Sequence, residues 1–242
     1  MTPRNLKTTT DGTTNPSGQA DARVTRGERT RQALIDAAFL EIHLNGYRAA
    51  SLSDILSAAN CTKGSLYHHF PDKHALGLAA VSEKVDAFIE ANWLIPLATT
   101  NDPLTTIREI IQRHVAGEIM DDPRLGCPVQ NISQEMSPLD EDFREYLNDV
   151  FNRWINAISD ALTRGIKAGN VCNTVDPHGM AIVIVATHQG MVSLIKTAQN
   201  PEVGNKSAPS FFNLLETLRP KTLPPKNTRL TPDNDAPNKA TS

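Results

Sequence analysis

Two places in the chain carry residue types able to do chemistry at a partner. The first is the run Thr62-Lys63-Gly64-Ser65-Leu66-Tyr67-His68-His69-Phe70, which gathers hydroxyls, two imidazoles, a phenol, an ammonium and a glycine. At the 3.6-residue helical period, Leu66 and Phe70 share one face and His69 flanks it. The opposite face centres on His68, with Gly64, Ser65 and Tyr67 around it and Lys63 at the tip. That face offers hydrogen-bonding groups, one aromatic ring and one glycine, with no aliphatic anchor, and suits close approach to a DNA major groove, which admits one helix. The same spacing describes an ordinary corner between two helices, so spacing alone leaves both readings open. The second place is Cys127, directly before Pro128. Proline favours the first helical position, which puts Cys127 at a helix N-cap, where backbone N–H groups and the positive helix end favour a thiolate able to take up an electrophile. The alternative is a buried, inert cysteine, the commoner fate of a free thiol.

Enzyme constellations are missing. The sequence contains no G-x-S-x-G, no G-x-x-x-x-G-K-[ST], no G-x-G-x-x-G and no H-E-x-x-H. A thiol hydrolase built from Cys127 with His114 or His188 is conceivable, but nothing in the sequence brings such a pair together. His114 and Glu118 at i, i+4 read as a surface pair, and His68-His69 does not have metal-ligand spacing. The expectation is a protein without catalytic residues, metal or cofactor.

The elements that must hold the first run are short helices. Leu52, Ile55, Leu56 and Ala59 fall at i, i+3, i+4 and i+7, one apolar stripe. Ser51 is placed to cap that helix, with Asp54 at the third position. Asn60-Cys61 breaks the pattern, Thr62 caps the next helix, and Pro71 ends it after Phe70. Upstream, Leu34, Ile35, Ala38, Phe39 and Ile42 predict a first helix over residues 25–45, closed by Asn45-Gly46.

This pattern resembles the DNA-binding domain of the tetracycline-repressor (TetR) family. The resemblance is carried by Thr62 to Lys73 (TKGSLYHHFPDK), preceded by Arg29-Thr-Arg, Ala37-Ala38, Asn45-Gly46-Tyr47 and Ser51-Leu52-Ser53-Asp54-Ile55, without a gap from about Gly27 to Ala80. It implies a three-helix helix-turn-helix domain whose third helix enters the major groove. Lys63, Ser65, Tyr67 and His68 would then face DNA beside Thr62 and Gly64, and Ser51 and Lys73 would hold phosphates. Arg26 and Arg29, leading into the first helix, read as an arm on the phosphate backbone. Further on, Leu125 to Ser137 (LGCPVQNISQEMS) followed by Asp140-Glu-Asp-Phe-Arg is similar to a subgroup responsive to N-ethylmaleimide and other electrophiles, which makes Cys127 the candidate sensor.

Composition is compatible with this. The 242 residues are 39% hydrophobic and 21% charged, with a net charge of -3. Between Ala22 and Ala75 seven Lys and Arg face five acids, so a mildly basic head sits on an acidic body. Three cysteines, an odd number without framework spacing, fit free thiols in a reducing cytoplasm. The start of the chain is polar throughout, which predicts no signal peptide, and the apolar run 180–195, short and interrupted by His188, Gln189 and Ser193, predicts a buried helix rather than a membrane span.

The body reads as helices over 72–93, 104–120, 128–136, 139–168, 177–197 and 208–218. The fold expected is all-α: a disordered arm (1–24), a helix-turn-helix domain (25–75), a helical regulatory and dimerisation domain (76–218) and a disordered tail (219–242). Helix 177–197 is apolar on nearly all sides, which suggests a subunit interface with 139–168 as well as a core. The function expected is a cytoplasmic, homodimeric DNA-binding regulator: a repressor on an inverted-repeat operator in double-stranded DNA, released by a small-molecule or electrophilic inducer. The alternatives are a DNA-binding regulator that works with a protein partner and no inducer, or a thiol enzyme using Cys127.

Overall fold

The computed structural model describes residues 16–119 and 122–221, with side chains from residue 26 onward. Among these residues every regular element is a helix. The first, α1 (Pro16–Asn45), is the longest at 30 residues. It starts well before residue 25; residues 16–24 lack the apolar stripe that marks a helix in sequence, which is why the periodicity places the start later. The arm expected over 1–24 therefore overlaps α1, and residues 1–15, like 222–242 of the expected tail, lie outside the described chain. Gly46 takes a positive φ of 85° and turns the chain out of α1.

The head closes with α2 (Leu52–Ala58) and α3 (Lys63–His69). The expected caps form: Ser51 accepts the N–H groups of Ser53 and Asp54 at 3.2 and 3.4 Å, and Thr62 accepts that of Ser65 at 3.2 Å. Asn60, at φ 50°, supplies the left-handed residue between the two helices. Leu34, Ile35 and Ala38 of α1 bury against Ile55, Leu56, Leu66 and Phe70, and Leu76 and Ala80 of α4 (Lys73–Ile89) complete this small core.

The link helix departs from expectation. It does not stop before Pro96. α4 continues through a π-turn (Glu90–Leu94) into α5 (Ile95–Ala98), with the Ile95 N–H reaching back to the Glu90 carbonyl. Proline has no N–H and its ring clashes with the carbonyl four residues back in an α-helix; the wider turn accommodates both. Asp86 on α4 receives Arg153 and, at 3.1 Å, the Tyr146 hydroxyl, both from the long body helix over Glu141–Lys167, bracing the link helix on the body.

The body consists of α6 (Pro103–Val115), α7 (Pro128–Met136), α8 (Glu141–Lys167), α9 (Pro177–Ala198) and α10 (Glu202–Glu216). α6 ends at Val115, earlier than the expected residue 120, and Gly117 follows with φ 76°. α10 begins at Glu202 rather than 208 and carries Pro209 inside, the residue that hid its first turns from a sequence reading. The apolar face of α8 is the core: Phe143, Leu147, Val150, Trp154, Ile158, Ala161 and Leu162 are all buried. α9 is long and apolar enough to cross a bilayer, but it packs on α8 and α10 and buries His188 and Gln189 with its aliphatic residues.

Candidate nucleic-acid interface

The outward side of α3 is built by burial of its inward side. Leu66 and Phe70 are almost fully buried, and Arg31 lies over the Phe70 ring at 5.5 Å while pairing with Glu83. With those anchors fixed, Thr62, Lys63, Gly64, Tyr67 and His68 stand exposed, Tyr67 to 54%, and Ser65 is half-buried beside them. The imidazole of His68 lies edge-on to that of His69, 5.0 Å between centroids. Lys63, Arg26 and Arg29 make no ion pair among the described residues, and all three are exposed.

Gly64 has no internal reason to be glycine. A Cβ built there meets nothing closer than the Thr62 Oγ1 at 3.9 Å, and its φ is not positive. A glycine that costs helix stability without relieving a clash fits a surface another molecule must approach closely.

Lys73 and Ser51 sit differently. The Lys73 ammonium donates to the Arg48 carbonyl at 3.3 Å and lies 4.9 Å from the centre of the Tyr47 ring. It is half-buried on the turn after α1, and a phosphate would have to share it with these partners. The Ser51 hydroxyl oxygen is engaged as the α2 cap.

Tyr47 joins head to body. Its ring fills the notch at Gly77 of α4, where any Cβ would collide with it, and meets Phe143 of α8 at 4.9 Å between centroids. The backbone N–H groups of Tyr47 and Arg48 donate to the two carboxylate oxygens of Glu135 on α7, each at 2.8 Å. Nothing in local spacing points to Glu135, because these bonds span 88 and 87 residues.

Cys127 is at the N-cap of α7, as its position before Pro128 predicted, but it makes no capping hydrogen bond. It is buried. Burial pushes the thiol up, over the opposing pull of the Gln130 and Val129 amides and of the Gln189 side chain, whose Nε2 lies 3.5 Å from Sγ. The helix-end argument for a thiolate is thus outweighed by desolvation. Cys61 and Cys172 are also free thiols. His114 and Glu118 are not the surface pair expected: His114 is buried with Nδ1 2.9 Å from the Ile110 carbonyl, whereas Glu118 lies past the end of α6 beside Arg113. His114 and His188 meet each other at 4.9 Å between centroids and both face Trp93.

Comparison with known proteins agrees with this geometry. Residues 34–80 match the profile of bacterial regulatory proteins of the tetR family, and residues 103–210 match the tetracyclin repressor-like C-terminal domain. A protein named HTH-type transcriptional repressor DhaR, from Mycobacterium sp. (strain GP1), is 27% identical over 192 residues, 79% of this chain and 93% of its own. The crystal structure of the regulatory protein TetR from Rhodobacter sphaeroides is 27% identical, covers 75% of this chain and 96% of its own, and superposes with a TM-score of 0.67. The reduced form of E. coli NemR, 22% identical over 78% of this chain and 96% of its own, shares the fold with a TM-score of 0.66.

Proposed function

The chain belongs to the tetracycline-repressor family of bacterial transcriptional regulators, and on that basis we propose that it works as a homodimeric repressor, one α3 per half-site of an inverted-repeat operator in double-stranded DNA. The observation that carries this reading is the outward side of α3: Lys63, Gly64, Tyr67 and His68 stand exposed on a helix anchored by Leu66 and Phe70. Thr62 and Ser65 extend that surface, Arg26 and Arg29 supply phosphate contacts from α1, and Ser51 and Lys73 flank it at the α1–α2 turn and the start of α4. Mobility shift and footprinting on the DNA upstream of its own gene and its neighbours test the assignment. A protected inverted repeat is the expected result, and no retarded complex at low salt would refute it.

Dimerisation is supported by α9. Ile182, Val183, Ala186, Gly190 and Leu194 form an exposed stripe along it, and a Cβ at Gly190 would meet nothing within 4 Å. Phe151 and Ile155 of α8 border the same side. An apolar stripe with small residues at its centre is suited to a two-fold mate.

Release by a small molecule is the mode we assign. A second reading, in which the chain acts with a protein partner and has no inducer, predicts that no compound in a broad panel dissociates the DNA complex. Covalent sensing by Cys127 requires its thiol to be uncovered first, since it is buried and burial outweighs the groups that favour its thiolate. Cys127→Ser should keep repression; if it also keeps release by thiol-reactive compounds, the inducer acts without bonding to that sulfur. The reading includes no catalytic step, no cofactor and no membrane partner, and places the protein in the cytoplasm.

A further inference from the structure

A cavity of about 710 Å³ opens between head and body, outside the DNA-facing surface. Its walls come from the last turn of α1, from α7 and from the C-terminal end of α9. The volume lies within the range of roughly 300–1,000 Å³ usual for small-molecule sites.

Its polar groups are arranged for an anion. His43 on α1 lines the same wall; its Nδ1 is shut off from solvent without a hydrogen-bond partner among the described residues, so it reaches the cavity only when the ring rotates. Lys196 on α9 donates one N–H to the Asn131 Oδ1 at 2.9 Å, leaving two of its three donors for a ligand. That bond and the wall beneath it orient the exposed side chain. Asn131 is itself oriented by donating to the Leu125 carbonyl at 2.9 Å, and the Lys196 stem lies across Gly126, where an added Cβ would sit 2.9 Å from Cδ. Gly126, at φ 78°, is the one wall position where a side chain would displace Lys196. The N-terminus of the nine-residue α7 opens on the same space and adds positive potential. One carboxylate lines the cavity, Glu135, and both of its oxygens are already held by the Tyr47 and Arg48 amides. Ser193 supplies a further hydroxyl.

We propose that this cavity is a binding site for a small polyanionic metabolite, a di- or tricarboxylate or a short phosphorylated acid, gripped by Lys196 from the body and His43 from the head. A ligand held there would give the His43 ring, once rotated, the partner its Nδ1 lacks, and would tie α1 to α7 and α9, so its occupancy is felt on both sides of the head–body boundary. The inference goes beyond the DNA-binding reading, and its failure leaves that reading intact.

Isothermal titration calorimetry on the full chain, in a chloride buffer free of other polyvalent anions, tests it with three probes: citrate, 3-phosphoglycerate and glycerol. The expected result is saturable binding of at least one anion at one per chain and no heat from glycerol. The stronger of the two anions tells carboxylate from phosphate recognition. Lys196→Gln should weaken binding tenfold or more, and Ser193→Glu, which puts a carboxylate in the cavity, should abolish it. Both variants replace residues outside the hydrophobic core and should unfold within a few degrees of the wild type. Absence of saturable binding by either anion, or binding by both variants as tight as that of the wild type, would overturn the proposal.

Discussion

The carboxylate of Glu135 accepts the backbone N–H of Tyr47 at 2.8 Å, a bond across 88 residues that ties α7 of the body to the turn after α1. The second oxygen takes the Arg48 N–H at the same distance, and Gly46 leaves space for the clamp, since a Cβ there would lie 2.9 Å from the Glu135 Oε2. A displacement of α7 must therefore either break these two bonds or carry the turn after α1 with it. Cys127 begins α7 and Glu135 nearly ends it, which places the candidate sensor and the clamp on one short rigid element.

Removing the clamp should loosen the head without unfolding it. Glu135→Ala leaves two amides without their acceptor, a loss of about 1–2 kcal/mol for partly exposed charge-assisted bonds. Hydrogen exchange at the Tyr47 and Arg48 amides should accelerate at least tenfold while exchange in α8 stays as it was. Unchanged exchange at both amides would show that the bonds carry no coupling.

Gly64→Ala separates stability from recognition. The position has room for the methyl, so unfolding should be unaffected or shift up by as much as about 1 kcal/mol, the difference in helix propensity. DNA affinity should fall by tenfold or more because the backbone can no longer approach closely. Tyr67→Ala and His68→Ala should lose sequence preference with the fold intact, each base contact contributing roughly 1–3 kcal/mol. Lys73→Ala should behave otherwise, lowering stability together with affinity, since Lys73 also holds Arg48 and Tyr47. A Gly64→Ala protein with wild-type operator affinity would place the DNA contact elsewhere.

For the dimer, the informative positions are the exposed ones. Val183→Glu and Leu194→Glu, at residues 46% and 60% exposed, should give folded monomers by sedimentation that no longer hold the operator. Val185→Glu and Met191→Glu are poor tests, because both side chains are buried in the chain's own core and the substitution would unfold it. Dimeric Val183→Glu and Leu194→Glu proteins at micromolar concentration would move the interface off α9.

Acid should destabilise the body through its imidazoles. His188 and His114 are buried, and burial holds both below the ordinary imidazole range, with His114 pressing His188 further down. A group depressed in the folded state gives its full stability above its unfolded value, about 6.5, and loses it as pH falls below that toward the folded value. The unfolding temperature should be level from pH 8 to 7 and decline from pH 6.5 to 5. His188→Gln should flatten that decline, even if it lowers the plateau. An identical slope in the variant would assign the acid sensitivity to other groups.

The DNA-facing half of the molecule was legible in the sequence because its information is local. The stripe Leu52–Ile55–Leu56, the caps Ser51 and Thr62, the left-handed Asn60 and the anchors Leu66 and Phe70 lie within one run, so helical period and cap chemistry suffice to orient α3. The same holds for α8 and for the entry to α9, where Asp176 and Pro177 cap and open the helix as their types require. Where two local rules conflict, tertiary packing decided: α4 runs through Pro96 by widening to a π-turn, and α10 begins before Pro209. What only the tertiary structure determined are the pairings between distant segments and the dielectric they create. The helix-end position of Cys127 is in the sequence, but its burial under Gln189 is not, and burial outweighs the helix end. Glu135, His43 and Lys196 carry no local signal, since each acquires its role from a partner or a wall brought from another helix. Periodicity fixes which side of a helix is apolar; which other helix covers that side, and what charge is left between them, depends on the packing of the whole chain.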